Sequence, residues 1–275
     1  MAFFIMITFP NAKINLGLQI TGRLSNGYHT INTGIYPIPL RDVLEAIPSK
    51  KTSFESSGTT IPGNPKDNLI LKAYKLLKKD YHLPELTIHL LKSIPMGAGL
   101  GGGSADASFM LNMLNEEFQL FLDDSILEEY AAQLGSDCPF FIRNQPAIAT
   151  GTGTDVQPID LDLSGYHLLV LNPGIHISTK DAYAGTSPAP PSYDLKSTIE
   201  SKDFDFWKKT LANDFEKSVF QQYPELGGIK AKLYDSGALY AAMSGSGSTL
   251  FGIFSRPADA TDFEETANFI KAMPL

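Results

Sequence analysis

Residues 94–108 read IPMGAGLGGGSADAS, and five of the seven positions from 97 to 103 are glycine. Glycine tolerates positive φ and lets backbone approach a ligand closely. A helix opening directly behind such a loop offers unpaired N–H groups and the positive end of its dipole to an anion. Pro95, Met96, Gly97, Ala98, Gly99, Leu100, Gly101, Gly102, Gly103 and Ser104 are therefore candidates to hold phosphate. Gly97, Gly99 and Gly102 also satisfy G-x-G-x-x-G, the dinucleotide fingerprint. That fingerprint expects an acid ending a second strand about 20 residues on. Glu116, Glu117 and Asp123 instead fall in or between predicted helices, which disfavours it. A P-loop is excluded, because no Gly-Lys pair occurs in the chain.

Two further residues carry candidate proton and charge chemistry. Asp137 lies in GSDCPFF (135–141), between a predicted helix ending at Gly135 and an apolar stretch read as a strand. A carboxylate at a buried junction is costly unless paired. A lysine beside it would keep it ionised and ready to accept a proton. Lys13 is the candidate, on the polar side of AKINLGLQI (12–20) together with Asn15. Tyr28 and His29, in RLSNGYHTINT (23–33), offer a flat ring and a two-way hydrogen-bonding edge suited to a nucleobase. Taken alone, these residues also fit a surface lysine, a turn aspartate and a solvated loop. Cys138 reads as a small buried residue, with no basic neighbour in sequence to activate it.

The elements that must position these groups follow from periodicity. Ile14, Leu16, Leu18 and Ile20 alternate with Lys13, Asn15, Gly17 and Gln19, the pattern of a half-buried strand. Asn26 and Gly27 mark a turn in the loop 21–30. Residues 3–8 and 34–47 read as strands, the latter interrupted by Pro37 and Pro39. Leu69, Ile70, Ala73, Leu76 and Leu77 share one helix face, opposite Lys72, Lys75, Lys78 and Lys79. Asn68 is a good N-cap for that helix. A strand is predicted at 86–92, then helices at 104–121 and 124–134. The second half predicts strands at 167–171, 238–243 and 249–254, an exposed loop at 185–194, and helices at 211–222, 224–235 and 259–272. No internal repeat appears. Irregular runs of strands and helices favour α+β over a doubly wound sheet. A division near 155–165 gives segments 1–160 and 161–275.

The 275 residues are 43% hydrophobic and 19% charged, enough for a substantial core. Net charge is −8, which argues against a general nucleic-acid or membrane-surface binder. An acidic chain that binds phosphate must concentrate positive potential locally, and backbone N–H groups at 97–104 supply it without net charge. The single cysteine excludes an internal disulfide and points to a reducing, cytoplasmic setting. No apolar run reaches the ~18 residues of a membrane-spanning helix.

PMGAGLGGGSA (95–105) resembles the P-x(3)-G-L-G-S-S-A signature of the GHMP kinases, with one extra glycine. AKINL (12–16), GYH (27–29) and GSDCPFF resemble the segments of the branch acting on a cytidine-diphosphate-linked polyol. The resemblance runs in order from residue 12 to 254. It implies a two-domain α+β fold, with a ribosomal-protein-S5-like N-terminal domain and a ferredoxin-like C-terminal domain. It further implies ATP and Mg²⁺, with the 96–104 loop around the phosphates, Asn68 near the adenine, and Lys13 and Asp137 as the catalytic pair in a cleft between domains. The substrate would be a small cytidine diphosphate molecule phosphorylated on its 2-hydroxyl in isoprenoid precursor synthesis. Asn15, Tyr28 and His29 would contact it. STKDAY (178–183) is similar to a further family stretch, which adds Thr179 and Tyr183 to that pocket, Tyr183 stacking opposite Tyr28. NDFEKSVFQQYPEL (213–226) is similar to a family helix, its carboxylates read as mostly solvated. MSGSGSTLFGIF (243–254) resembles the third family motif. The magnesium-binding glutamate of many GHMP kinases has no assignable counterpart, and Ser104 is the candidate metal contact beside phosphates and water. A homoserine, mevalonate or sugar kinase of the same family stays open as an alternative. So does an inactive binding protein, which would have no need of both Lys13 and Asp137.

Overall fold

The computed structural model describes residues 5–275. In chain order the first half holds β1 (Met6–Thr8), β2 (Asn11–Arg23), β3 (His29–Arg41), β4 (Val43–Pro48), β5 (Ser53–Gly58), α1 (Leu69–Asp80), β6 (Leu86–Lys92), α2 (Gly102–Glu117), α3 (Asp124–Ala132) and α4 (Cys138–Arg143). The second half holds β7 (Ala147–Thr150), β8 (Asp155–Pro158), β9 (His167–Asn172), α5 (Thr179–Ala184), α6 (Leu195–Glu200), α7 (Phe204–Thr210), α8 (Phe215–Gln222), α9 (Pro224–Asp235), β10 (Tyr240–Met243), β11 (Leu250–Phe254) and β12 (Phe269–Pro274).

The chain divides into two compact units built from interleaved segments. The first comprises the chain up to Ala12, Leu40–Met96 and Gly101–Gln145. Its sheet runs β1-β4-β6-β5, antiparallel except for the parallel β5/β6 pair. Alternation along β4 and β6 sends Leu44, Ala46, Leu86, Ile88 and Leu90 to one face. There they pack on Ile70, Ala73, Tyr74 and Leu77 of α1 and on Met110, Leu111 and Leu114 of α2. Each fully buried Leu or Ile contributes roughly 1.5–3 kcal/mol.

The second unit comprises Lys13–Pro39, Gly97–Leu100 and Pro146–Leu275. Its strands form one sheet ordered β2-β3-β7-β8 and an antiparallel sheet ordered β10-β11-β9-β12. Leu169 and Leu171 of β9 pack with Phe215, Val219, Leu226, Ile229 and Leu233 of α8 and α9.

The mixed α+β class expected from the sequence is what the chain adopts. Several boundaries differ, for identifiable reasons. The strand predicted at 3–8 is β1, with residues 3 and 4 outside the described residues. The apolar stretch after Asp137 is a helix, not a strand. Pro139 sits in its first turn, Asn144 closes it at φ 52°, and every residue from Cys138 to Ile142 is buried, so no polar face revealed the helical period. The terminal segment predicted as a helix over 259–272 is a 3₁₀ turn, Thr261–Phe263, followed by β12. Pairing of β12 with β9 over six residue pairs overrides local helix preference. Pro37 and Pro39 do not interrupt β3, and the β7 pairing on that strand ends at Ile35, before either of them.

β2 also departs from simple alternation. Asn15 donates to Thr33 Oγ1 (3.0 Å), whereas Gln19 accepts from the amide of Asn32 (3.0 Å). Consecutive residues of β3 point to opposite faces, so Asn15 and Gln19 do as well. Gly17, at φ 67° between them, carries the irregularity.

Candidate active site

The glycine loop takes the conformations its composition allows. Gly97, Gly99 and Gly101 have φ values of 62°, 77° and 70°. At Gly99 a Cβ would lie 2.0 Å from the carbonyl oxygen of Ser244, so no other residue fits. Gly101 is the N-cap of α2 and supplies no side-chain hydrogen bond, and no acidic residue occupies the first turn. The N–H groups at Gly102, Gly103 and Ser104 therefore open a helix end with nothing on its own cap to quench them. Leu100 is buried, and its carbonyl accepts from the Lys13 backbone N–H at 3.0 Å. Ala98, also buried, accepts from Thr249 N–H at 3.4 Å.

Lys13 is 3% exposed, not a surface lysine. Its Nζ donates to Asn15 Oδ1 (2.6 Å) and to the Gly99 carbonyl (3.0 Å). Asn15 is fixed in turn by Thr33, whose hydroxyl donates to the Gly17 carbonyl at 2.6 Å. Ser244 Oγ donates to the same Gly99 carbonyl at 2.8 Å. The Ser/Gly turn carrying Ser244 is held by Asn213, whose amide donates to the carbonyls of Met243 and Gly245, both at 2.8 Å.

The carboxylates of 213–226, expected to be mostly solvated, are partly structural. Glu216 is 9% exposed, accepts the Met243 N–H at 2.8 Å and pairs with Lys230 at 2.6 Å. Asp214 accepts the Ile20 N–H at 2.7 Å. Both satisfy backbone donors of neighbouring strands, a long-range role with no local sequence signal.

His29 and Tyr183 are brought together, their rings stacked at 4.5 Å and 10°. Phe215 supports Tyr183 edge-on at 4.9 Å. Tyr28, the residue before His29, is 67% exposed. Thr179, at the start of α5, lies 3.4 Å from Ser246 Oγ, hydroxyl to hydroxyl.

In the first unit, Asn68 caps α1 by accepting the Ile70 N–H at 2.9 Å. With Leu69, Met96, Gly103 and Asp106 it lines a pocket of about 300 Å³ that also touches Ile61 and Pro65. Pro95 is half-buried on the approach to Met96. Asp137 occupies the N-cap position of α4 and makes no capping bond. Its turn is fastened to α2: Ser108 Oγ donates to the Cys138 carbonyl at 2.7 Å. Ser104 also faces the Cys138 thiol, and burial pushes that thiol up to about 11, with Ser104 opposing the shift. Cys138 is fully buried, the small packed residue its sequence context suggested. Among the described residues no cluster of three or more His, Cys, Asp or Glu is arranged to hold a metal. Ser104 stays the metal candidate on chemistry alone.

Sequence reasoning did not find Thr33, Asn213 or the ion network of Asp42, Lys92 and Asp106. Asp106 stands three residues after the glycine run, which was its one available signal.

Residues 68–145 match the GHMP kinase N-terminal domain model and residues 195–269 the GHMP kinase C-terminal model. The 4-diphosphocytidyl-2-C-methyl-D-erythritol kinase of Bacteroides thetaiotaomicron is 54% identical over 253 residues, covering 90% of this chain and 92% of that one. The kinase of the same name from Bacteroides fragilis is 52% identical over 268 residues, covering 96% and 97%. A crystal structure of 4-(cytidine 5'-diphospho)-2C-methyl-D-erythritol kinase aligns with TM-score 0.82 and 28% identity, covering 98% of this chain and all of that one. Homoserine kinase from Cytophaga hutchinsonii, at TM-score 0.67 and 15% identity, shares the fold alone. The chain belongs to the 4-diphosphocytidyl-2-C-methyl-D-erythritol kinase family of GHMP kinases.

Proposed function

We propose that the chain transfers the terminal phosphoryl group of ATP to the 2-hydroxyl of 4-diphosphocytidyl-2-C-methyl-D-erythritol, in the non-mevalonate route to isoprenoid precursors. The observation that carries this reading is in the first unit. The uncapped N-terminus of α2 and the Asp137 turn are fastened to one another through Ser108 and Cys138. A phosphate-binding helix end and a proton acceptor on one rigid support are what in-line transfer to an alcohol requires.

In the mechanism, backbone N–H groups from Gly97 to Ser104 hold the phosphates. The pocket beside Asn68 takes the adenosine end, its walls from Ile61, Pro65, Leu69 and Met96 offering apolar surface to a base. Asp137 accepts the proton of the attacking hydroxyl. Lys13, aimed by Asn15 and the Gly99 carbonyl, stabilises charge as the O–P bond forms. Tyr28, His29, Thr179 and Tyr183 read the cytidine end, with the exposed ring of Tyr28 free to swing onto a base. Mg²⁺ would be held by the phosphates, water and the Ser104 hydroxyl, and would supply charge neutralisation between phosphate oxygens. A reducing, cytoplasmic setting belongs to the same proposal, since it rests on the single cysteine.

The test is ADP release with ATP, Mg²⁺ and a panel of alcohols: the cytidyl polyol, homoserine, mevalonate and simple sugars. Turnover is expected with the cytidyl polyol, with phosphorus NMR showing a new monoester at the 2-position. Turnover with homoserine or mevalonate in its place would overturn the assignment.

A further inference from the structure

A buried ion network adjoins the glycine loop, and the reaction just described does not use it. Lys92 ends β6, and its Nζ lies 2.5 Å from Asp42 Oδ2 and 2.6 Å from Asp106 Oδ2. The three side chains are 0%, 0% and 3% exposed. Such a network is a poor way to gain stability, since well-packed apolar residues of similar volume commonly do as well or better. Its geometry indicates another role.

Asp42 uses its second oxygen to accept the N–H groups of Ser93 (2.6 Å) and Ile94 (2.9 Å). Those two residues lead directly into Pro95 and the loop. Asp106 stands on α2, just past the helix end that closes the loop. Lys92 also reaches the first residue of α2: a Cβ at Gly102 would lie 3.0 Å from its Nζ and 2.9 Å from Ile94 Cγ2. One ammonium group therefore fixes the strand that leads into the loop and the helix that leads out of it. Asp106 Oδ1 is buried without a hydrogen-bond partner. An acid left in that condition is not optimised for folding alone.

We propose that Lys92, gripped between Asp42 and Asp106, is a positioning residue that sets the separation between the Ser93–Ile94 approach and the N-terminus of α2, and with it the fit of the loop to nucleotide phosphates. The proposal rests on the phosphate-holding role given to that loop above.

The test separates nucleotide affinity from stability. Asp106→Leu removes the tie at the helix. Because Asp106 also lines the pocket beside Asn68, Lys92→Met, outside that pocket, is measured alongside it; both should raise KM for ATP about tenfold or more, while KM for the alcohol stays within about threefold. Asp106→Asn keeps an oxygen for the Lys92 ammonium and should recover most of the ATP affinity. Leu111→Ala, in the core of the same helix, is the stability control: it should lower Tm and leave KM for ATP unchanged. Should Asp106→Leu fail to fold, the double variant Lys92→Met/Asp106→Leu, which leaves only Asp42 with its two backbone donors, should show the same shift. An unchanged KM for ATP in either folded variant, or an equal rise in Leu111→Ala, would overturn the proposal. Wild-type ADP release in the same assay tests the transfer reading separately. An inactive wild type removes that reading, whereas an active one with unchanged variants removes only the positioning role.

Discussion

Lys13 and Lys92 are both buried, at 3% and 1% exposure, yet their ammonium groups meet different company. Within its own unit Lys13 donates to a side-chain amide and a backbone carbonyl. Lys92 ends between two carboxylates, at 2.5 and 2.6 Å. Two carboxylates neutralise the Lys92 ammonium where it stands, while the Lys13 ammonium is held at the glycine loop by an amide oxygen and the Gly99 carbonyl. The first arrangement suits chemistry on a substrate, the second suits holding a backbone in place. The same side chain is thus buried in two settings, one at the glycine loop and one between two acids.

The largest expected effect tests the Lys13 half of that contrast. Lys13→Met and Asp137→Ala should each lower kcat by ~10²–10⁴, the usual cost of losing a proton-transfer or charge-stabilising group. Nucleotide binding, followed by calorimetry, should stay nearly intact. Either variant keeping more than half of the wild-type kcat would remove that residue from the chemistry.

Lys92→Met is the mirror experiment. It leaves Asp42 and Asp106 facing one another without their cation, so urea denaturation should show a loss of about 3–5 kcal/mol. At saturating ATP and a temperature where the variant is folded, kcat should fall far less than in Lys13→Met. A stability loss below about 1 kcal/mol would mean that the buried network relaxes freely, and the contrast would fail.

The sequence made the two lysines unequal in legibility. Lys13 stands in a strand whose alternation and AKINL wording were plain, and the glycine loop announced its helix. Lys92 closes a predicted strand with no mark of function. Its partners lie 50 and 14 residues away, a separation over which charge pairing leaves no periodic trace. The same limit hid Asn213 and Glu216, whose partners are the backbone at 243 and 245. It also hid α4, where burial on every side erased the helical period. Alternation misled at Gln19, because the irregularity at Gly17 reverses the face on which it lies. Local pattern conveyed the elements and the loop. The clamps that position them depend on tertiary pairing.

Next in size is the recognition end. Stacking on an aromatic contributes ~1–3 kcal/mol per base in nucleic-acid binders, so Tyr28→Ala should raise KM for the cytidyl substrate roughly ten- to hundredfold and leave KM for ATP alone. His29→Ala removes the ring stacked on Tyr183 at 4.5 Å and should act in the same direction. CMP should compete with the substrate and UMP should compete less well. A change confined to the KM for ATP would detach both residues from the cytidine end and return attention to the other alcohols.

The smallest expected effect sharpens the account of how Lys13 is aimed. Ser244 Oγ and Lys13 Nζ share the Gly99 carbonyl, at 2.8 and 3.0 Å. Ser244 also lies 3.4 Å from Asn15 Oδ1, the other acceptor of the lysine. Ser244→Ala removes one donor and leaves that carbonyl satisfied by the lysine, so no buried acceptor is orphaned. The backbone of the turn keeps its own bond, Ser244 N–H to the Thr249 carbonyl at 2.9 Å. The net worth of such a hydrogen bond is about 0.5–1.5 kcal/mol, which corresponds to a fall in kcat of roughly two- to tenfold if the bond holds the carbonyl in line for Lys13. KM for both substrates should hold. If kcat is unchanged, the Ser244 hydroxyl has no part in orienting Lys13. In that event Asn15→Ala, which removes the shorter of the two acceptor contacts at 2.6 Å, should carry the loss instead.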